Sequence, residues 1–532
     1  MGNSHKKYLL PILTGGLLGL ALNFPHFWFL ALVGFLPLLI FFFREKTGRA
    51  GFWGGVVAGA TYFLILFNWL WALYPPEALG IASKFTGFLV IGFIYLCSAG
   101  LMAIFWGISG GLAQKLTAKK YQLLVWALLF VLTEWLRAWG FGLFWTGSQS
   151  SLGPHWTLGN PAYLVAPSAF FRQLASMGGI YFVTLVILLV NISIYRIFKA
   201  TSLKNTLPKI RTLALVLIIG FILFTPDIPA PKSHPTIQVS IIQTQNEIKE
   251  NYTPSDRLLR LEEQLRLVGT LRETPSSKII VFPENSDFFR NLPLVINPDN
   301  LPNFFDQLFD DPVTLIDHSR IETGSETVSK TIVLDSKSGI VATSDKRLLT
   351  PGGEYLPYLL NWVARSLSPT ARQNLDAAHF YSQGENNFTP KQTEAGQIGT
   401  LVCSEMFSPQ LSRALAKNGA ELIVIQSSTG LFRGNRSLIN QDLNIVRMRA
   451  AEQGRSVVFS TNFGLSYFLG SSGELLKISP DSAPQILTEQ VPLNTKQTWY
   501  NRTGDKPLLV VILGILMLIF LNNHRSKKAK DE

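Results

Sequence analysis

The sequence predicts a multi-pass α-helical membrane domain, with about eight transmembrane helices and an α/β domain inserted before the last of them. Three observations predict it. Of 532 residues, 47% are hydrophobic and only 15% charged, against about 25% charged in an average soluble protein. The charge is also unevenly divided: residues 1–230 hold 16 Lys and Arg but only 4 Asp and Glu, whereas residues 231–532 hold 31 of each. Finally, apolar stretches near the roughly 20 residues needed to cross a bilayer occupy most of the first part, and one more closes the chain. The net charge of +12 therefore lies wholly in the apolar part. A basic patch on a folded surface, as nucleic-acid binding needs, is not what this pattern describes. Disorder is excluded by the apolar content, and a disulfide scaffold by the presence of only two cysteines, Cys97 and Cys403.

The apolar stretches fall at about 8–22, 27–43, 52–73, 85–112, 123–139, 180–197, 213–224 and 508–521. Lys and Arg cluster at every second connection: Lys6 and Lys7; Arg44, Lys46 and Arg49; Lys115, Lys119 and Lys120; Arg196 to Arg211; and Arg525 to Lys530. Basic loops stay in the cytoplasm, so both termini are expected there and residues 228–505 on the far side. Residues 1–23 have the basic start of a secretory signal, but Ala21-Leu22-Asn23 is a poor cleavage site, and the segment is expected to be retained. The connection 140–171 is long, aromatic and rich in Gly, Ser and Pro. Two readings are open for it, a partly embedded segment buried against protein and an interfacial loop with Trp anchors. Glu134 and Arg137 lie near the outer end of the fifth stretch, where charge is costly and usually paired. They are read either as an i,i+3 ion pair or as a site for a lipid headgroup.

After the breaker run PDIPAPKSHP at 226–235, short apolar runs alternate with helical patterns. The runs are IQVSII (237–242), IIVFPE (279–284), TIVLD (331–335), IGTLVC (398–403), LIVIQSS (422–428) and SVVFSTN (456–462), and LGSSGELL (469–476) reads as strand-turn-strand. A helix capped by Ser255 is expected to bury Leu258, Leu261, Leu265 and Val268, and a second to run from 438 to 453. Continuous apolar strands mean a sheet covered on both faces, and their alternation with helices means an α/β layered domain.

Three places in this domain carry possible chemistry. Glu284 ends an apolar strand, where a carboxylate is either a cap or an acid desolvated enough to act as a base. Lys346 and Glu354 lie in the turn-rich segment SDKRLLTPGGEYLP (344–357). Cys403 ends IGTLVC and precedes Ser404 and Glu405. A buried Cys is often inert packing, but a strand-end turn exposes the thiol and offers the next backbone N–H to an oxyanion. The seven His show no ligand spacing, and neither HExxH nor paired CxxC occurs. No metal or cofactor is expected.

The blocks FPE, DKRLLTPGGEYLP and LVCSE follow one another with 62 and 57 residues between Glu284, Lys346 and Cys403. This order resembles the nitrilase superfamily, whose Glu-Lys-Cys triad sits on an αββα sandwich. Fused behind seven apolar segments and before an eighth, it is similar to the apolipoprotein N-acyltransferase family over nearly the whole chain. Further similarities are EWLR (134–137), VSIIQTQN (239–246) and VRMRAAEQGRSVVFSTNFG (446–464). The resemblance implies Cys403 as nucleophile, Glu284 as general base and Lys346 at the oxyanion, with Glu354, Glu405 and Ser404 in support. It also implies a bacterial inner-membrane enzyme with its catalytic domain outside the cytoplasm. Its donor would be a phospholipid, and its acceptor the N-terminal amine of a diacylglyceryl-cysteine lipoprotein.

The implied domains are 1–227 for seven helices, 235–495 for catalysis, 506–523 for the eighth helix and 524–532 for a basic tail. Apolar residues Phe288, Phe289, Phe304, Phe305, Tyr355 to Trp362, Leu431 and Phe432 are read either as dipping into the outer leaflet or as core. The chain departs from the family pattern in having Ser404 after the nucleophile and SSTGLFRG (427–434) in place of an Asn-Asp-x-Trp-Phe-Gly block. Asp442 or a neighbour stands where a His is familiar. Competing readings are a membrane-anchored amidase, an acyltransferase with another acceptor, and a receptor whose site has been retired. A transporter would show internal repeats, and none is evident.

Overall fold

The computed structural model describes residues 6–75, 83–116, 121–199, 235–249, 252–273, 277–297, 300–309, 311–324, 326–367, 373, 380–385 and 388–531. The seventh apolar stretch, at 213–224, lies outside the described residues.

Helices α1 (Leu9–Asn23), α2 (Leu36–Arg44), α3 (Gly48–Leu66), α4 (Lys84–Leu116), α5 (Gln122–Phe144) and α6 (Ala169–Lys199) form one packed group. With the C-terminal helix Lys506–Asp531, six stretches among the described residues are long and apolar enough to cross a membrane. The first two predicted stretches differ from simple spans. At 15 residues, α1 extends about 22 Å at 1.5 Å per residue, short of the ~30 Å hydrocarbon core. The second is a 3-10 turn, Pro25–Leu32, followed by α2. Packing of α3 on α4 rests on small residues, as in other membrane helix pairs. A Cβ on Gly51 would stand 2.6 Å from the Gly110 carbonyl oxygen, and one on Gly110 2.5 Å from that of Gly51. Helix α6 breaks at Gly179, whose φ of 71° lies in the left-handed region.

The remainder folds into two stacked six-stranded sheets. Strands β1 (Thr236–Gln243), β2 (Ile279–Val281), β3 (Thr314–Thr323), β4 (Glu326–Asp335), β5 (Gly339–Asp345) and β12 (Gln485–Pro492) form the first, ordered β12-β1-β2-β3-β4-β5. Strands β6 (Lys391–Thr393), β7 (Gly396–Val402), β8 (Leu422–Ser428), β9 (Ser456–Asn462), β10 (Tyr467–Leu469) and β11 (Leu475–Ile478) form the second, ordered β11-β10-β9-β8-β7-β6. Each is parallel at its centre, β1-β2-β3 and β7-β8-β9, with antiparallel edges. The period-2 alternation of side chains sends Val239, Ile241, Ile279 and Val281 inward against Leu422, Val424 and Val458 of the other sheet. Ile280 and Phe282 face outward onto Leu261 and Val268 of the helix Pro254–Gly269 and Phe305 of Leu301–Leu308. The second sheet is covered by the helices Pro409–Lys417 and Arg436–Gln453. The layering is αββα, the nitrilase-like sandwich.

Several local expectations change. The helix Pro254–Gly269 is capped by Thr253, whose hydroxyl accepts the Asp256 N–H while Asp256 accepts the Thr253 N–H, and Leu258 is exposed. Thr253 beats Ser255 as cap because Pro254 fits the first helical position. Phe288 stacks on Phe282, and Phe289, Phe304 and Phe305 belong to the outer core of the first sheet rather than to a lipid-facing surface. In the segment 140–171, Trp145 and Trp156 are buried and the backbone is gripped by the catalytic layers. Tyr355 donates its hydroxyl to the Trp145 carbonyl at 2.8 Å, the Tyr358 N–H bonds the Thr146 carbonyl at 2.9 Å, and His155 pairs with Ser408 at 2.8 Å. The segment is buried against protein rather than standing as a free loop.

Candidate active site

The parallel centres of both sheets end on the same side, where ligands of open α/β sheets generally bind. Glu284 follows β2, Lys346 follows β5 and Cys403 follows β7. Asn285 and Asp287, just beyond Glu284, and Cys403 itself have φ of 58°, 51° and 47°. Such left-handed non-Gly residues cluster at functional sites, held there by surrounding contacts. The Asn285 N–H bonds His318 Nδ1 at 2.9 Å, His318 Nε2 pairs with Ser329, and Arg320 Nε donates to the Asn285 side chain at 3.1 Å. Burial, then the charges of Lys346 and Arg320, pushes His318 well below its usual range, so its Nδ1 stays an acceptor.

Lys346 Nζ donates to Glu284 Oε1 at 3.2 Å and to Glu354 Oε1 at 2.8 Å. The other Glu354 oxygen takes the Thr350 N–H at 2.7 Å. Burial opposes the Lys346 charge, but the two carboxylates outweigh it and hold the ammonium well above its ordinary range. Burial pushes Glu284 up, against the pull of Lys346. The Cys403 thiol is raised too, first by burial and then by the Glu284 charge, with Lys346 opposing. One cation shared by two carboxylates leaves too little net positive field to form a resting thiolate, and a thiol in such a field acts as a nucleophile only when a base takes its proton.

Glu405 and Ser404 build the turn that carries Cys403. Glu405 Oε2 accepts the Val402 N–H at 2.8 Å, and its Oε1 accepts the Arg347 N–H at 2.9 Å. The Ser404 hydroxyl donates to the Leu348 carbonyl. One carboxylate thus ties the Cys403 turn to the Lys346 segment. Sequence reading did not single out Arg320, His318 or Gln426, whose Nε2 donates to the Phe282 carbonyl at 2.7 Å and joins the two sheets. They are polar residues inside strands, a position that gives no pattern signal.

Glu134 and Arg137 lie apart, in α5. Arg137 gives two hydrogen bonds to Glu134, at 2.9 and 2.7 Å, and a third to the Leu158 carbonyl at 2.7 Å. Glu134 also accepts from Trp106 at 2.9 Å and Asn160 at 3.2 Å. Both are 0% exposed. The pair ties α4, α5 and the buried segment together and offers no accessible oxygen or nitrogen to a headgroup. Among the described residues, no group of His, Cys, Asp and Glu is arranged to hold a metal ion.

Comparison with known proteins places the chain among its relatives. Residues 14–193 match the apolipoprotein N-acyltransferase N-terminal domain and residues 239–501 match carbon-nitrogen hydrolase. The apolipoprotein N-acyltransferase of Geobacter metallireducens is 25% identical over 532 residues, covering 98% of this chain and 96% of that protein. That of Haemophilus influenzae is 25% identical over 545 residues, covering 97% and 95%. A carbon-nitrogen hydrolase structure from Helicobacter pylori is 17% identical, with a TM-score of 0.37, over 50% of this chain and 92% of that one. The two family matches and the curated relatives make this an acyltransferase of the carbon-nitrogen hydrolase superfamily that carries apolar helices of membrane-crossing length. Within that class, the chain belongs to the apolipoprotein N-acyltransferase family.

Proposed function

We propose that this chain moves an acyl group from a membrane phospholipid to the N-terminal amine of a diacylglyceryl-cysteine lipoprotein, through a thioester on Cys403. The carrying observation is Lys346 Nζ held between Glu284 and Glu354 at 3.2 and 2.8 Å, at the strand ends that also bear Cys403. Glu284 takes the thiol proton as sulfur attacks the ester carbonyl. The Lys346 ammonium meets the charge that develops on the carbonyl oxygen. Collapse expels lysophospholipid, whose glycerol oxygen receives the proton from Glu284. The acceptor amine then attacks the thioester and the sulfur leaves as a thiol. Glu354 fixes Lys346 between these events, and Glu405 and Ser404 fix the turn.

The arrangement of charge supports a topology to match. Residues 1–227 and 506–523 would span the inner membrane, with both termini and the basic tail 524–532 in the cytoplasm. Residues 235–495 would stand outside, where lipoprotein N-termini emerge. Reporter fusions after Pro226 and before Asp505 should read extracytoplasmic, and those at Lys120 and Lys530 cytoplasmic.

The decisive experiment incubates purified protein with phospholipid alone and seeks an acyl adduct on Cys403 by mass spectrometry. The adduct should form with about one lysophospholipid released per chain, and an acceptor peptide with a free α-amine should discharge it. Steady release of fatty acid without acceptor would mark a hydrolase, and the absence of any adduct would remove the proposal.

A further inference from the structure

The two half-reactions differ by one proton. In the first, the proton that Glu284 takes from Cys403 returns to the leaving glycerol oxygen, so a single base completes the step. In the second, the acceptor arrives mainly as an ammonium, because an α-amino group has a pKa of about 7.7–8.0. One of its protons ends on the Cys403 sulfur by way of Glu284. Another must leave before nitrogen can attack, and Glu284 is already committed.

Asp442 lies where that proton could go. It sits on the helix Arg436–Gln453, which packs against the Cys403–Phe407 turn. The residue is 4% exposed, yet its Oδ1 has no hydrogen-bond partner. Ser427 is a second buried group with an unpartnered oxygen. Val402 pairs with Gln426 across β7 and β8, so one step further Cys403 and Ser427 lie side by side. Gln426 reaches inward to the first sheet, and by alternation Ser427 turns outward, toward the layer that carries Asp442. A buried carboxyl left without a partner costs stability, and a cationic ligand would supply the missing partner.

Asp442 lies within electrostatic reach of the Cys403 turn and of β10. A charge on it acts on the Cys403 thiol and on Tyr467 of β10, whose hydroxyl is also unpartnered. Arg447, on its own helix, acts on Tyr467. From the membrane side, neutral groups hold its neighbours: the Leu66 carbonyl takes a hydrogen bond from Gln441 at 3.1 Å and the Asn23 carbonyl one from Asn440 at 3.2 Å. Burial pushes the Asp442 carboxyl well above its usual range, which makes its carboxylate a stronger base than an exposed one.

We propose that Asp442 receives the acceptor's ammonium and removes its first proton, leaving a neutral amine beside the thioester. An N–H bond breaks and an O–H bond forms on the Asp442 carboxylate, and the freed lone pair attacks the thioester carbon. The nitrogen's next proton passes through Glu284 to the departing sulfur, and Asp442 releases its own proton to water as the amide leaves. This inference rests on the acyl-transfer reading above. The test uses the full chain loaded with acyl from phospholipid, as wild type, Asp442→Asn and Asp442→Glu. Single-turnover discharge by a diacylglyceryl peptide with a free amine is followed from pH 6.5 to 9, beside discharge by hydroxylamine. Thermal melting in detergent reports that each variant is folded, and discharge is expressed per acyl-Cys403 loaded. At pH 6.5 Asp442→Asn should discharge about 17- to 33-fold more slowly than wild type, following the neutral fraction of an amine of pKa about 7.7–8.0. By pH 9 the two should converge, Asp442→Glu should resemble wild type, and hydroxylamine should not distinguish them. A ratio that is the same at pH 6.5 and pH 9, or an equal loss with hydroxylamine, would overturn the role of Asp442. Failure of wild type to form the adduct would overturn the acyl-transfer reading itself and this inference with it.

Discussion

Cys403 works against its own environment, because burial and the Glu284 carboxylate both favour the neutral thiol. On the proposed mechanism the nucleophile is generated by proton transfer, and loss of the base should differ in kind from loss of the cation. Glu284→Gln should stop acyl-adduct formation, whereas Lys346→Ala should slow it by about 10²–10³, roughly 2.7–4 kcal/mol, the scale of removing an oxyanion donor. Rapid-quench measurement of adduct on Cys403 separates the two. The sign of the pH dependence follows from Glu284. Only its ionised form can accept the proton, and burial raises its pKa above 4.5, so the acid limb of wild-type adduct formation should lie above pH 4.5. Glu284 and Cys403 are readable in the sequence because each ends an apolar strand, whereas Lys346, inside a turn-rich block, stands out only through the family resemblance. Arg320 and His318 are not readable, since a polar residue in mid-strand declares nothing until the fold surrounds it with Lys346 and Glu284.

At the scale of elements, β8 and β9 run from 422 to 428 and 456 to 462, as their apolar runs predict. Strands β3 and β5 are hidden by composition: β3 buries Asp317, His318 and Ser319, polar residues that serve the site, and β5 exposes Ile340 and Val341. Reading strands from apolar runs fails where function reverses the pattern. The joint between helices is equally silent in sequence. The Gly179 break frees the Ile180 N–H, and Glu452 Oε1, from the helix Arg436–Gln453, accepts it at 2.9 Å. Glu452 also pairs with Arg449, which reaches the Tyr163 hydroxyl. Burial, joined by Asp505 and opposed by Arg449 and the Ile180 N–H, raises the Glu452 carboxyl from 4.5 to about 7. Its protonated form is thus favoured by the fold, and this site lowers stability as pH climbs from about 4.5 to about 7, with no further change above. Glu452→Gln should flatten the melting temperature over that range. Glu452→Ala should destabilise by about 3–5 kcal/mol, because it leaves Arg449 buried without its counter-charge. Thermal melts in detergent at several pH values check both.

Over the whole molecule, catalytic layer and membrane helices share a single apolar core. Leu438, Ile445 and Met448, which cover the second sheet, belong to the same cluster as Phe63, Leu66 and Tyr181 of the membrane helices. Amphipathic spacing shows that such a helix has a buried face, but not that half of its partners lie within the bilayer domain. One contact closes the seam on the side of Cys403: Phe432, which follows β8, meets Trp69, which follows α3, edge to face with centroids 4.8 Å apart. On the proposed mechanism, that seam would govern whether the thioester is transferred or hydrolysed. A thioester awaiting a second, slowly diffusing lipid survives only where water is excluded, and Glu284 would activate water as readily as an amine. Intact protein given phospholipid should therefore hold its adduct and release little free fatty acid. Phe432→Ala and Trp69→Ala should each leave adduct formation near the wild-type rate yet raise fatty-acid release severalfold. The double variant should add little beyond either single change, because both open the same contact. Quantifying lysophospholipid and fatty acid in one time course checks this, and additive effects of the two substitutions would place the water barrier elsewhere.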